Sequence, residues 1–287
     1  MDRVLIFGST GQLGADLVEV LQNSGSFDVI PLTHEDADCR HADAIRKIVL
    51  AYRPQIVINC AAYVRVDDCE DYPCEAFEVN AIGAFNIARA SAGVDAQCVY
   101  ISTDYIFDGE KNLPYVESDI PNPINVYGVS KLAGEFLVRQ SAPRWLVVRV
   151  SSLFGKTGAR GKGGNFIDTV VGKAKAGERL HMINDIAMSP TYARDAAVAL
   201  AVILQNGVSG IFHVTNSGGC TWYDFAKAIL EFTGLEAAII PVSSNEFSSR
   251  ARRPRVSRLR SERAPCDLRS WQEGVKAYLC EKGYLGK

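Results

Sequence analysis

The chain has 287 residues, 47% of them hydrophobic and 22% charged, which is enough apolar length for a large core and excludes a disordered chain. Its 31 Lys and Arg against 33 Asp and Glu give a net charge of −2, so bulk charge exerts no pull toward nucleic acid or an anionic membrane. No basic segment leads into an apolar stretch and no run of about 18 apolar residues occurs, so neither a secretory signal nor a membrane span is expected, and a cytoplasmic location is.

In chain order, residues 3–8 read as a short β-rich strand, followed by the turn Gly8-Ser-Thr-Gly11-Gln-Leu-Gly14 and an amphipathic helix over 15–22. Strand, glycine turn and helix is the context of a dinucleotide site. Gly8 permits the turn, Gly11 lets backbone N–H groups approach a pyrophosphate at the helix N-terminus, and Gly14 lets the helix lie close on the strand. The spacing is Gly-x-x-Gly-x-x-Gly, a variant of the simplest dinucleotide fingerprint.

Residues 27–32, 55–60, 97–102 and 145–150 read as further strands, each separated from the next by a helical segment. Repeated βα units with nearly continuous apolar strands predict an α/β fold with a doubly wound, Rossmann-like parallel sheet. After about residue 150 the pattern loosens through the glycine-rich stretch 155–164 and a break at Ser189-Pro-Thr191, before a helical run over 194–204. The expected division is a dinucleotide-binding domain of residues 1–150, joined by 191–215, and a smaller C-terminal substrate lobe of residues 151–190 and 216–287.

Polar groups lie beyond the fourth strand in Ser102-Thr103-Asp104-Tyr105-Ile-Phe-Asp108-Gly109, at the sheet end where open α/β folds bind ligands. A hydroxyl there, from Ser102 or Thr103, can share a substrate carbonyl with a nearby acid. Such an acid follows: Tyr127 and Lys131 are four residues apart in a helical segment, which puts phenol and ammonium on one face. A cation beside a tyrosine favours the phenolate, and a drop of roughly 3 units from about 10 would bring it near neutrality, as reduction of a ketone requires.

The eight cysteines contain no Cys-x-x-Cys pair, and His34, His41, His181 and His213 lack ligand spacing. No disulfide framework and no catalytic metal are expected. The arginine-rich run from Arg250 to Arg260 has no repeat and no interleaved aromatics, which disfavours nucleic acid. Arg252 or Arg253 is expected to approach a substrate diphosphate instead, through paired guanidinium donors.

Gly8-Ser-Thr-Gly-Gln-Leu-Gly14, Asn59-Cys-Ala-Ala-Tyr63, Ser102-Thr-Asp-Tyr-Ile-Phe-Asp-Gly109, Tyr127-Gly-Val-Ser-Lys131, Ser189-Pro-Thr191 and Phe212-His-Val-Thr-Asn216, with Trp222 following, together resemble the dTDP-4-dehydrorhamnose reductases of the extended short-chain dehydrogenase/reductase superfamily. The resemblance spans nearly the whole chain. It implies reduction of the C4 ketone of dTDP-4-dehydro-L-rhamnose to dTDP-L-rhamnose, for bacterial surface polysaccharide. By matching motif, Tyr127 donates the proton, Lys131 lowers its pKa and holds the nicotinamide ribose, and Thr103 hydrogen-bonds the carbonyl. Gly8, Gly11, Gln12, Leu13 and Gly14 cradle the pyrophosphate, Ala61, Ala62 and Tyr63 line the nicotinamide side, and Asn80 supports it. Asp104, Ser152 and Asn165 fall on the substrate side with Arg252 and Arg253.

Many family members carry a Trp where this chain has Ser152, so an aromatic wall is missing there. The cofactor implied is NADPH, with NADH as the alternative, since Leu32-Thr33-His34 and the nearby Glu35, Asp36, Asp38 and Arg40 favour neither from sequence. The alternative functions are a reductase or epimerase of another sugar nucleotide, or a non-catalytic NADP-binding regulatory subunit like that of methionine adenosyltransferase. The resemblance also allows a homodimer.

Overall fold

Apolar strands covered on both faces need helices above and below them, and the chain supplies these alternately. A computed structural model describes residues 1–158, 164–263 and 268–285. Its first half runs β1 (Asp2–Phe7), α1 (Gln12–Asn23), β2 (Phe27–Leu32), α2 (Ala42–Tyr52), β3 (Ile56–Asn59), α3 (Val66–Asp71), α4 (Pro73–Phe77), α5 (Gly83–Ala92), β4 (Gln97–Thr103), α6 (Val126–Ser141) and β5 (Trp145–Val150). The second half runs β6 (Leu153–Phe154), α7 (Phe166–Lys175), β7 (Leu180–Ile183), β8 (Ala187–Met188), β9 (Thr191–Tyr192), α8 (Ala193–Gln205), β10 (Gly210–His213), β11 (Cys220–Thr221), α9 (Trp222–Thr233), β12 (Ile239–Val242) and α10 (Trp271–Glu281).

Six strands form one sheet in the order β10-β5-β4-β3-β1-β2, every neighbouring pair parallel. The central strands β3 and β4 are buried along their whole length. β2 carries Pro31 at the sheet edge, where a missing N–H breaks no ladder on its outer side. Helices α1 and α8 cover one face, around Leu17, Ile58, Val99 and Leu200. Helices α2, α5 and α6 cover the other, around Val49, Ile87, Tyr100 and Val138. The chain leaves β1 toward β2 on one side and β3 on the other, which opens a crevice beyond the carboxyl ends of the strands.

Sequence periodicity placed five strands and two of the helices within a few residues. It missed β10, whose four residues, Gly-Ile-Phe-His, are too short to show a period. It also started α1 three residues late, because Gly11 rather than a side chain caps it. Between α4 and α5 the residues Glu78–Ile82 form a π-helical turn, and such a bulge locally re-aims side chains. It leaves Asn80 fully buried, facing the sheet side of α6.

Helices α7, α9 and α10 pack around a third core that contains Phe154, Tyr192, Phe225, Trp271 and Tyr278. Three two-stranded pairings trim it: β7 with β12, β8 with β11, and β6 with β9. This lobe sits over the carboxyl ends of the sheet strands, and the cleft lies between them.

Candidate active site

A cleft of about 490 Å³ is lined by Gly11 to Gly14, Ala62, Thr103, Asp104, Tyr127 and Lys131 from the sheet side, and by Ser152, Asn165, Phe166 and Trp222 from the lobe. Its dinucleotide end is built by the glycine turn. Gly8 has φ +73°, and a Cβ there would lie 2.8 Å from the Ala61 nitrogen; a Cβ on Gly14 would lie 2.2 Å from the Gly8 carbonyl oxygen. No side chain other than glycine fits either position. The Gly11 N–H donates to the Gly8 carbonyl at 3.0 Å, and no side chain caps the first turn of α1. Gln12 Oε1 is buried without a partner. First-turn N–H groups, a close backbone and an uncommitted amide suit the pyrophosphate and flanking riboses of a dinucleotide.

Gly8, Ala61, Tyr63 and Asn80 stand behind this surface rather than on it. Tyr63 N donates to Asn80 Oδ1 at 2.8 Å, and Asn80 Nδ2 donates to Tyr63 O at 3.2 Å and Ser130 Oγ at 3.0 Å. Tyr100 Oη donates to the Asn80 carbonyl at 2.8 Å. Asn80 thereby ties the loop after β3 to α6, the helix of Tyr127 and Lys131.

Helix α6 begins where Asn125 Oδ1 accepts from Gly128 N at 2.8 Å. A Cβ at Gly128 would be 2.1 Å from the Tyr105 carbonyl. That close approach seats Tyr127 against the loop after β4, with its ring 5.9 Å from that of Tyr105, edge on. Burial pushes the Tyr127 pKa upward, and the hydrogen bond with the Thr103 hydroxyl pulls partly against it. From sequence, Lys131 is expected to draw Tyr127 down toward neutrality. Instead the Lys131 ammonium donates to the Ile101 carbonyl at 2.6 Å and lies 4.1 Å from the Tyr100 ring centroid. Burial pushes Lys131 itself down to about 7, with the Glu135 carboxylate opposing.

Thr103 Oγ1 donates to Asp104 Oδ1 at 3.1 Å and accepts from Tyr105 N at 3.2 Å. Burial raises Asp104 to about 6, although the hydroxyls of Ser257, Ser151 and Thr103 stabilise its charge. Ser102 Oγ is buried beside this group without a partner.

On the lobe side Ser152 lines the cleft with φ +42°, a left-handed conformation rare for a residue with a Cβ. Asn165 lines it too, but its amide is used within the protein: Oδ1 caps α7 through Asp168 N at 3.0 Å, while Nδ2 donates to Gly155 O at 3.0 Å and Tyr278 Oη at 2.7 Å. The two arginines expected near a diphosphate have these surroundings. Arg253 forms an ion pair with Asp67 at 2.7 Å and donates to the Ala251 carbonyl at 3.1 Å. Arg252 is exposed, and neither arginine lines the cleft. Arg250 pairs with Asp68 and Asp71, so the basic run is laced to acidic α3.

Phe166 and Trp222 reach the cleft without having been singled out as site residues. A capping box, Thr221 with Asp224, makes Trp222 the first residue of α9, and Asn165 caps α7 so that Phe166 comes first there. Both caps were readable in sequence; the convergence of the two helix starts was not. Among the described residues no group of three or more His, Cys, Asp or Glu is placed to hold a metal ion. Residues 159–163 of the glycine-rich stretch and Cys266 lie outside the described residues.

Both sequence and fold have relatives. The spore coat polysaccharide biosynthesis protein SpsK of Bacillus subtilis is 38% identical over 285 residues, covering 98% of each chain. The dTDP-4-dehydrorhamnose reductase of Escherichia coli is 35% identical over 298 residues, covering 97% of each. The crystal structure of dTDP-4-dehydrorhamnose reductase from Bacillus anthracis, in complex with NADP, superimposes with a TM-score of 0.93 at 37% identity, over 98% of this chain and 99% of that one. The family model of the RmlD substrate binding domain matches residues 1–283, and the chain belongs to that family.

Proposed function

We propose that this protein is an NADPH-dependent ketoreductase that converts dTDP-4-dehydro-L-rhamnose to dTDP-L-rhamnose, with Tyr127 as the proton donor. One observation carries the reading: a buried phenol shares a cleft with Thr103 and with a glycine turn shaped for a dinucleotide. The named reductases among its relatives support the same activity. A proton donor must hold its proton until it is needed, and burial keeps Tyr127 neutral at working pH.

A reduced nicotinamide held in this cleft would supply the hydride for C4. Gly11 to Gly14 would hold the pyrophosphate, and Lys131 the nicotinamide ribose. Thr103 and Tyr127 bind the ketone oxygen, and Tyr127 passes its proton to that oxygen as negative charge develops there. Lys131, one helical turn away on the same wall, anchors that face of α6 to the sheet through the Ile101 carbonyl. Asp104, fixed by three hydroxyls, orients the sugar. Asn80 acts as a positioning residue, and Asn165 through the start of α7. The lobe of residues 151–190 and 216–287 carries the nucleotide sugar, while 1–150 with 191–215 carries the cofactor.

Cofactor choice has local support. Asp36 Oδ2 accepts from both Thr33 N and Thr33 Oγ1 at 2.8 Å, and Asp38 is bound by Arg40 at 2.6 Å. The Asp38 charge is thus offset by Arg40, and the Asp36 carboxylate is turned to Thr33 rather than left free to accept from an adenosine ribose hydroxyl. The reading puts the protein in the cytoplasm, acting on a nucleotide sugar without nucleic acid or membrane, and is compatible with a homodimer.

The test is NADPH absorbance with purified protein and dTDP-4-dehydro-L-rhamnose. Oxidation that falls by a factor of about 10² to 10⁴ in Tyr127→Phe, with NADPH affinity retained, is the expected result. Binding of NADPH without oxidation would move the assignment to another sugar nucleotide or to a regulatory subunit.

A further inference from the structure

We propose that Trp222, backed by Phe166, is the face on which the pyrimidine base of the nucleotide sugar lies. This deepens the reductase reading and rests on it for the identity of the ligand. Four observations lead there.

First, the sheet side of the cleft is already committed. The glycine turn, Lys131 and Tyr127 occupy the wall at the carboxyl ends of β1 and β4, where a dinucleotide and a ketone would meet. What remains for the rest of the substrate is the lobe wall, built from the starts of α7 and α9. Second, the aromatic surface there is held rigidly. The Phe166 ring stacks on Phe225 at 5.3 Å between centroids and 10° between planes, and Phe225 lies in the lobe core with 1% exposure. The Phe166 and Trp222 rings are 4.8 Å apart. Third, Trp222 is itself only partly buried and lines the cleft, so its indole is accessible from it. The Thr221–Asp224 capping box, with N–H to Oγ1 at 3.0 Å and Oγ1 to Oδ2 at 2.7 Å, fixes the backbone from which it projects.

Fourth, position 152 offers no ring. Ser152 lines the same cleft, and a hydroxymethyl group cannot stack on anything. A sugar and a diphosphate call for hydrogen-bond donors, whereas the indole, tilted 59° to the Phe166 ring behind it, offers a face on which a planar base stacks. Among the described residues the lobe brings four rings to this cleft, Phe154, Phe166, Trp222 and Phe225; Phe154 and Phe225 are each 1% exposed, which leaves the partly buried Trp222 and Phe166 to meet a ligand.

The probe is thymidine diphosphate alone, titrated into the protein while tryptophan emission is followed, with calorimetry in parallel. Trp145 and Trp271, the other two tryptophans, lie outside the cleft lining, so they serve as an internal background. Wild type is expected to change emission on saturation, and Trp222→Phe to bind with no such change. Trp222→Ala is expected to weaken thymidine diphosphate about tenfold or more and to raise the nucleotide-sugar KM in proportion, with NADPH affinity unchanged. Thymidine diphosphate affinity within twofold of wild type in Trp222→Ala, or no emission change in saturated wild type, overturns the proposal. Should Trp222→Ala fail to fold, the wild-type and Trp222→Phe emission titrations decide alone. Base-dependent emission without NADPH oxidation would sink the reductase reading and leave the base site standing; turnover without the emission change would do the reverse.

Discussion

Glu135 and Arg149 meet in a bidentate pair, Arg149 Nε to Glu135 Oε1 at 3.0 Å and Nη2 to Oε2 at 2.8 Å, with side chains 1% and 2% exposed respectively. Glu135 stands one helical turn beyond Lys131 on α6, and Arg149 lies on β5. The pair therefore locks the helix of the proposed proton donor onto the sheet. Removing one partner leaves a buried charge unmatched, and Arg149→Met is expected to lose about 3 to 5 kcal/mol of stability. Glu135→Leu combined with Arg149→Met should recover most of that loss, as read from urea unfolding midpoints. A double variant as unstable as the single one would mean that packing, not charge, is what Arg149 supplies.

Lys131 makes stability depend on pH in an unusual direction. Its folded pKa, about 7, lies below the ordinary 10.5, so between those values the unfolded chain holds more protons than the folded one. Stability then rises with pH across that window, by at most about 1.4 kcal/mol per unit. Below the folded pKa both states are protonated, and the cost of the buried charge is present in full. Lys131→Met removes this contribution. The unfolding free energy of wild type minus that of Lys131→Met should therefore climb from about pH 7 to about pH 9, and a flat difference would show that the ammonium is not destabilised by burial.

At the glycine turn, Gly14→Ala drives a methyl to 2.2 Å from the Gly8 carbonyl oxygen. Neither backbone can yield without opening the turn. We expect a loss of about 1 to 3 kcal/mol of stability and NADPH binding weakened by about tenfold or more, measured by nucleotide fluorescence titration. Unaltered NADPH affinity would place the cofactor elsewhere.

Asp104 predicts a pH dependence of substrate binding. Burial raises it to about 6, so it sheds its proton as pH climbs through that value and presents a carboxylate to the sugar above it. The kcat/KM profile should carry an acid limb near that pH, and Asp104→Asn should flatten the limb while raising KM. An acid limb that persists in Asp104→Asn belongs to another group.

Arg252 and Arg253 separate a surface reading from a substrate reading. Arg253 is committed to Asp67, and both arginines stand off the cleft lining. Arg252→Ala should leave the nucleotide-sugar KM within about twofold, and Arg253→Ala should cost about 1 kcal/mol or less of stability, less still at high salt. A KM that rises about tenfold in Arg252→Ala would return that guanidinium to the diphosphate.

Much of this was legible along the chain because it is local. Strand runs at 56–59 and 145–150 show their burial in their own composition, the glycine turn shows its geometry in its spacing, and four residues of helix put Tyr127 and Lys131 on one wall whatever surrounds them. What tertiary structure alone decided are the terms set by distant neighbours. Asp67 takes Arg253 from 186 residues away, and Asn80 ties its own loop to Ser130, 50 residues on. Lys131 and Tyr127 acquire their acidities from the walls that desolvate them rather than from each other. Two capped helix starts, 56 residues apart by their Asn165 and Thr221 caps, converge to put Phe166 and Trp222 in one cleft. Spacing fixes which groups share a turn of helix; burial and long-range charge, which set what those groups can do, depend on parts of the chain that sequence proximity does not reveal.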